Sequence, residues 1–146
     1  DIASALVRFR AGFHAVLTVS RAAWGRKSRL GFELHGSRGM IVYDQERMNE
    51  LQLYDSGDRR GEQGFRTILA GPDHPPYAAF CPAPGHQLGF NDLKTIEAAG
   101  LLAGLAGGPC PSPDFAQALE IERVVYAIAR SAEAGGERVE VAEVRA

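Results

Sequence analysis

Residues 30–54, LGFELHGSRGMIVYDQERMNELQLY, form the stretch of sequence that decides the fold. Three runs within it have the aliphatic, aromatic and β-branched composition of short strands: residues 30–35, 40–43 and 51–54. The segments between these runs, residues 36–39 and 44–46, carry the glycine and polar residues of tight turns. Connections this short join neighbouring strands that run in opposite directions. The stretch therefore predicts part of an antiparallel sheet.

Further strand signals lie on both sides of this stretch. Residues 2–10 and 13–20 alternate with the period of two that strands show, and the glycine between them permits a tight turn. We therefore expect an antiparallel hairpin at residues 2–20. Residues 64–69 predict one more short strand. Residues 138–144 alternate again and predict a closing strand.

One face of the predicted sheet is more apolar than contact with solvent requires. It would carry Leu6, Val16 and Ile41 beside Thr18, Ser20 and Tyr43. An apolar surface of this kind favours association with another domain or another subunit.

Two helices are predicted after a proline-rich segment, residues 71–89, that has no periodicity and reads as an irregular loop. Asn91 or Asp92 can cap the first helix, and Gly107-Gly108 can end it. Residues 112–114, Ser-Pro-Asp, predict the start of the second helix, and Gly135-Gly136 its end. An apolar stripe down the second helix would hold Phe115, Leu119, Val125, Ile128 and Ala132.

The composition is that of a globular protein and excludes several classes of partner. Hydrophobic residues make up 45% of the chain and charged residues 23%, with a formal net charge of −2. Without a basic field to attract phosphates, nucleic acid is not an expected partner. No apolar run approaches the roughly 20 residues that span a bilayer, so no membrane is expected either. Cys81 and Cys110 are too few for a disulfide framework, which favours a cytoplasmic location.

Strands followed by helices predict an α+β fold, and the order of the motifs resembles the substrate domain of the Gfo/Idh/MocA oxidoreductases. In that family a Glu-Ile-x-Gly-x-x-Gly-x-x-x-x-Asp run joins two sheet strands, and residues 33–44 follow it with Leu34 in place of isoleucine. The resemblance also rests on residues 20–25, 113–115, 121–125, 127–128 and 131–132, and on the segment 138–141. Together these motifs cover essentially the whole chain.

The resemblance implies a dihydrodipicolinate-reductase-like carboxy-terminal domain: an open-faced, mainly antiparallel sheet with helices packed on one face. Residues 1–146 would form this single domain, for substrate binding and oligomerisation. The resemblance further implies an amino-terminal Rossmann domain outside this chain, NAD or NADP as cofactor of the whole enzyme, and assembly into dimers or tetramers through the sheet. The substrate would be a sugar, inositol or a related polyol.

Several motifs of such an enzyme are absent from this sequence. There is no Gly-x-Gly-x-x-Gly turn for a dinucleotide, no Glu-Lys-Pro motif with the family's catalytic lysine, and no Asp-x-x-x-His pair. We therefore assign no catalytic or cofactor-binding residue here and expect the chain alone to be inert. An alternative is a non-enzymatic module that dimerises or binds carbohydrate. Relatives of this fold also include reductases and hydrolytic variants, so fold alone does not fix the reaction.

Four residues are candidates for contact with the substrate: His86, Trp24, Arg26 and Lys27. His86 lies in a glycine-flanked loop before a predicted helix, where an imidazole can offer both a donor and an acceptor. The alternative is that it only bonds the loop backbone. Trp24, Arg26 and Lys27 lie in a loop that, in the resembled family, reaches toward the sugar pocket. The alternative is a solvated basic loop with Trp24 packed on its own sheet.

The remaining histidines are expected to have other roles. His14 and His35 fall on strands and are expected at an interface or on the surface, whereas His74 is expected in a turn. A zinc site built from His74, Cys81 and His86 is not favoured, because their spacing matches no compact ligand pattern. We therefore predict no metal site.

Overall fold

A computed structural model describes residues 1–109 and 112–144 of the chain. Within these ranges the chain forms six strands and two α-helices: β1 (Ile2–Arg8), β2 (His14–Ser20), β3 (Gly31–His35), β4 (Gly39–Asp44), β5 (Glu50–Asp55), β6 (Arg66–Leu69), α1 (Phe90–Leu105) and α2 (Phe115–Glu133). The Cα positions group into two compact units, residues 1–23 with 100–146 and residues 24–99. Every strand pair is antiparallel, and the predicted α+β class is confirmed.

β1 and β2 form the predicted hairpin, and they make a sheet of their own. Gly12 in the turn has a φ of 93°, a region that glycine enters without a Cβ clash. Leu6 lies opposite Val16, and these side chains are 73% and 76% exposed. An apolar face is therefore exposed on the hairpin, but the prediction that Ile41 and Tyr43 share it was wrong, because both lie in β4 of the second sheet, where Ile41 is half-buried.

β3 to β6 form the second sheet, with neighbours in chain order. Residues that lie opposite each other share a face, which places an apolar set on one side: Phe32, Leu34, Ile41, Tyr43, Leu51, Leu53 and Ile68. Gly39 is required where β4 approaches β5, because a Cβ at this position would lie 2.6 Å from the Tyr54 carbonyl oxygen. Burial raises the pKa of the Tyr43 phenol, and the nearby Tyr77 and Asp44 add to this effect.

The proline-rich segment 71–89 is irregular, as predicted, apart from one 3-10 turn at Tyr77–Ala79. Its fixed points are Cys81, which is fully buried, and Leu88, which is 5% exposed. The side chain of Asn49 accepts a hydrogen bond from the Leu88 N–H at 2.8 Å and donates one to the Leu88 carbonyl at 2.9 Å. A segment with little regular structure is therefore held by burial and by a paired hydrogen bond.

α1 begins one residue before the predicted cap. Gly89 precedes the helix, and Asp92 in the first turn accepts a hydrogen bond from the Gly89 N–H at 2.7 Å. The prediction that Asn91 or Asp92 caps the helix was therefore wrong, because the carboxylate reaches back from the first turn. The glycine stop is confirmed: Gly107 has a φ of 88°, and the Gly108 N–H donates to the Ala103 carbonyl.

α2 begins within the predicted signal. Asp114 is its N-cap and forms a capping box with Gln117. The predicted apolar stripe was wrong, because Phe115 is 97% exposed whereas Ala127 is buried. The apolar side chains of this helix that the structure buries or half-buries include Val124, Ala127 and Ile128, of which only Ile128 belongs to the predicted stripe. Gly135, with a φ of 73°, follows the end of the helix as expected.

The predicted closing strand at 138–144 was also wrong. Residues 141–143 form a 3-10 turn, and Val144 after it is 4% exposed. Glu140 is extended, with φ −80° and ψ 121°, but it pairs with no strand among the described residues. The alternation thus matches an extended backbone, whereas a strand also needs a partner for its ladder of hydrogen bonds.

Candidate functional site

Three of the four candidate residues lie in residues 24–30, which we call the tryptophan loop. This loop leads into β3 and belongs to the same compact unit as the four-stranded sheet. Trp24 is 99% exposed, so the alternative that it packs on its own sheet was wrong. Gly25 beside it has a φ of 88°, and Ser28 has a φ of 52°, a left-handed conformation that non-glycine residues seldom adopt.

The tryptophan loop is tied to the turn after β4 by three polar contacts. Glu46 accepts a hydrogen bond from Arg26 Nη1 at 2.8 Å and another from the Lys27 backbone N–H at 2.5 Å. Arg29 Nε donates to the carboxylate of Asp44 at 3.2 Å. Together these contacts hold Arg26, Lys27 and Arg29 of the loop against Glu46 and Asp44. We call this set of contacts the clamp.

The donors of the clamp stabilise the negative charges of its two carboxylates. The Lys27 N–H, and then the Arg26 guanidinium, lower the pKa of the Glu46 carboxyl. The Glu46 N–H, which donates to Asp44 at 3.0 Å, and then Arg29 lower the pKa of the Asp44 carboxyl. Both carboxyls therefore keep their charge to a lower pH than an ordinary carboxyl does.

His86 lies outside the tryptophan loop, in the proline-rich segment. It is exposed, and its N–H donates to the Ala83 carbonyl at 3.2 Å in a turn that includes Gly85 with a φ of 89°. Leu88, two residues later, is the buried anchor held by Asn49. The imidazole is thus presented to solvent from a well-anchored segment, and among the described contacts no hydrogen bond joins it to the tryptophan loop.

Sequence reasoning missed Asp44 and Glu46 as members of this site, because it treated residues 44–46 as turn chemistry and Asp44 as the end of the resembled motif. A signal was available. β3 and β4 pair with Gly31 opposite Asp44, so the basic residues before β3 necessarily meet the acidic residues after β4. Opposite charges just before β3 and at the end of β4 therefore favour a contact there, whereas the partners of each residue follow only from the structure.

The other histidines and cysteines do not form a second site among the described residues. His14 and His35 are exposed on strands, and His74 lies in a turn, where its N–H donates to the Gly71 carbonyl at 3.0 Å. In the part of the chain that the structure describes, no group of three or more histidine, cysteine or acidic residues could hold a metal ion. Cys81 is a free, buried thiol, and Cys110 lies outside the described residues.

The described residues also do not fit a dinucleotide. The two Gly-x-x-Gly stretches that lie between strands here, residues 36–39 and 61–64, each join antiparallel strands rather than a strand and a helix. A pyrophosphate cradle needs backbone N–H groups at a helix N-terminus after a strand.

No helix in residues 1–109 or 112–144 is long and apolar enough to cross a membrane.

The chain is similar to known oxidoreductases in sequence and in fold. It is 35% identical over 132 residues to a levoglucosan dehydrogenase of Pseudarthrobacter phenanthrenivorans, a match that covers 90% of this chain and 34% of that protein. A structure of levoglucosan dehydrogenase in complex with NADH and levoglucosan matches with a TM-score of 0.84 and 35% identity, over 89% of this chain and 35% of that one. No protein-family model matches the chain.

A crystal structure of an oxidoreductase domain protein from Kribbella flavida matches with a TM-score of 0.86 and 38% identity, over 92% of this chain and 36% of that one. The chain therefore spans about a third of the length of the relatives it matches. The resemblance noted in the sequence agrees with these matches: over about a third of their length, the chain is similar to a dehydrogenase and to oxidoreductases.

Proposed function

We propose that this chain is the substrate-binding and oligomerisation domain of an NAD(P)-dependent oxidoreductase that acts on a sugar, inositol or a related polyol. In such a reaction a carbinol carbon gives a hydride to the nicotinamide, and its hydroxyl gives a proton to a base. The cofactor site and the base would lie in a Rossmann domain of the same polypeptide. The chain by itself would then be inert.

The observation that carries this proposal is the match to levoglucosan dehydrogenase over nine-tenths of the chain. The name of that relative points to a sugar as substrate, and its structure with NADH and levoglucosan points to NAD as cofactor. At 35% identity the pocket residues can differ, so we propose the class of substrate rather than levoglucosan itself. The absence of a Gly-x-Gly-x-x-Gly turn from the sequence is in keeping with a cofactor site elsewhere in the polypeptide.

Two groups of residues would meet the substrate. Trp24 offers an exposed aromatic face of the kind that packs on the C–H groups of a sugar ring, and Lys27 offers an ammonium for its hydroxyls. His86 would hydrogen-bond a hydroxyl from the second loop. Arg26 would act through the clamp, because its guanidinium is already paired with Glu46.

The assembly would be a dimer or tetramer, and the exposed apolar face of the β1–β2 hairpin supports this part of the proposal. Leu6 and Val16 on that face are both more than two-thirds exposed. A hairpin of two strands is marginally stable in water, so this surface favours a covering partner. We place the enzyme in the cytoplasm, since two cysteines indicate no disulfide framework.

The test is a coupled assay with the native polypeptide that contains this chain. NAD and NADP reduction is followed with levoglucosan, inositol and a panel of other sugars and polyols, and the 146-residue chain alone serves as the control. We expect turnover only with the longer polypeptide, and we expect His86→Ala to raise the KM for the sugar about tenfold without changing the KM for the cofactor. Absence of turnover with every substrate would favour a carbohydrate-binding module instead.

A further inference from the structure

The carboxylate of Glu46 contacts both a side chain and the backbone, whereas an ordinary surface ion pair joins two side chains only. One of its oxygens accepts from the Arg26 side chain, and the other accepts from the Lys27 backbone N–H. The Glu46 side chain is 21% exposed, less than the 53% of Arg26. A carboxylate that holds the side chain of one residue and the backbone of the next fixes the path of the chain as well as a charge.

We propose that Glu46 is a positioning residue that holds the tryptophan loop so that Trp24, rather than Arg26, meets the sugar. This inference rests on the function proposed above and extends it in two respects. It assigns a role to a residue that contacts no substrate. It also separates the members of the loop into those that bind the ligand and those that hold the loop.

The need for a positioning residue follows from the exposure of the loop. Every residue from position 21 to position 30 is exposed, so burial does not hold this segment in place. The backbone also passes through two left-handed residues, Gly25 and Ser28, on either side of the clamped pair. Such a conformation costs free energy at Ser28 and persists only where the surroundings impose it. The contacts to Glu46 lie between these two positions.

The division of roles follows from which groups are already engaged. The guanidinium of Arg26 is paired with Glu46, and turning it toward a ligand would break this contact. The indole of Trp24 is 99% exposed and carries the largest apolar surface of the loop. Ligand contact can therefore bury Trp24 without breaking any contact of the clamp.

The clamp should also depend on pH in a defined direction. The charged groups that face Glu46 are Arg26 and Asp44, and Asp44 in turn faces Arg29, whereas Lys27 meets Glu46 only through its backbone N–H. Because the folded-state pKa values of both carboxyls are lowered, the clamp is fully present above the ordinary carboxyl pKa and is lost as the pH falls through the lowered values. Trp24 should therefore gain mobility in acid, and not between neutral pH and the ordinary carboxyl range.

The first measurement uses the 146-residue chain, in which Trp24 is the only tryptophan. Time-resolved fluorescence anisotropy reports the nanosecond motion of this indole directly. We expect Glu46→Ala to increase the amplitude of that motion about twofold at neutral pH, and Glu46→Gln to restore part of the difference because it still accepts from the Lys27 N–H. The matched control is Glu62→Ala, which removes an exposed carboxylate paired only with Arg59 at 3.7 Å and should leave Trp24 unchanged.

The second measurement uses the native polypeptide with the sugar that it turns over fastest. We expect Glu46→Ala and Trp24→Ala each to raise the KM for the sugar about tenfold while kcat changes by less than about twofold. The double variant should resemble Trp24→Ala alone, because Glu46 acts through the indole.

The outcomes separate the inference from the proposed function. Unchanged anisotropy in Glu46→Ala overturns the positioning role even where the enzyme oxidises sugars. A looser loop with an unchanged KM, in both Glu46→Ala and Trp24→Ala, overturns the contact between Trp24 and the sugar and leaves the oxidoreductase function intact. Absence of sugar-dependent turnover by the native polypeptide overturns the proposed function, and with it the role of the loop in sugar binding.

Discussion

The proline-rich segment 71–89 and the β1–β2 hairpin differ in two properties, the regularity of their hydrogen bonds and the burial of their side chains. The segment has almost no regular structure, yet it contains Cys81 and Leu88, two of the most completely buried side chains among the described residues. The hairpin has a complete antiparallel ladder, yet Leu6 and Val16 on one of its faces are mostly exposed. Regular hydrogen bonding and burial are therefore independent features of this chain.

This difference indicates which region is stabilised by contacts within the chain and which region has a surface available for association with a partner. The segment 71–89 is fixed by burial and by its two hydrogen bonds to Asn49, which are internal to its unit. The hairpin pairs its two strands with each other but leaves an apolar surface in water. A substitution in the segment should therefore destabilise the chain, whereas a matched substitution in the hairpin should act mainly through association.

The largest expected effect is that of Leu88→Ala. Removing a side chain that is 5% exposed leaves a cavity and should lower the free energy of unfolding by about 3 kcal/mol. Urea unfolding followed by far-ultraviolet circular dichroism measures this change. Leu102→Ala on α1, where the side chain is 66% exposed, is the control and should cost less than about 0.5 kcal/mol. Equal losses for the two variants would contradict the anchoring of the segment at Leu88.

A smaller effect is expected for Asn49→Ala. This change leaves the N–H and the carbonyl of Leu88 without their partners and should cost about 2 kcal/mol. Amide hydrogen exchange should show faster exchange at Leu88 and in the neighbouring residues of the segment. Asn91→Ala, at an exposed position on α1, is the matched control. Unchanged exchange at Leu88 would mean that burial alone fixes the segment.

The smallest effect on the monomer is expected for Leu6→Ala in the hairpin. At concentrations where the chain is monomeric, it should change the free energy of unfolding by less than about 0.5 kcal/mol, because Leu6 is already exposed. We expect the chain to dimerise at micromolar concentration, and the cost should then increase with concentration because association stabilises the folded state. Light scattering that finds only monomer at these concentrations would contradict association through the hairpin.

The local signals in the sequence were sufficient to predict most of the elements. Turn glycines, caps and alternation located the six strands, the glycine stops of both helices and the start of α2 at Asp114. Each of these depends on residues a few positions apart. The same kind of signal failed at residues 138–144, because alternation does not reveal whether a partner strand is present.

Features that depend on distant residues could not be predicted in this way. The pairing of Asn49 with Leu88 joins residues 39 positions apart, and the contact of Arg26 with Glu46 spans 20 positions. The burial of Ala127 on α2 was also missed, because tertiary packing selects which apolar residues of a helix are buried. The candidate residues in the tryptophan loop were found by resemblance, whereas the clamp that holds them required the structure.

The central proposal is that this chain is one domain of a larger oxidoreductase, and the length of the native polypeptide tests it most directly. The polypeptide can be captured from source cells with an antibody to this chain and its intact mass measured. We expect a mass larger than that of the 146-residue chain by at least one nucleotide-binding domain of roughly 100–200 residues. A native polypeptide of 146 residues would leave no place for the cofactor and would contradict the proposal.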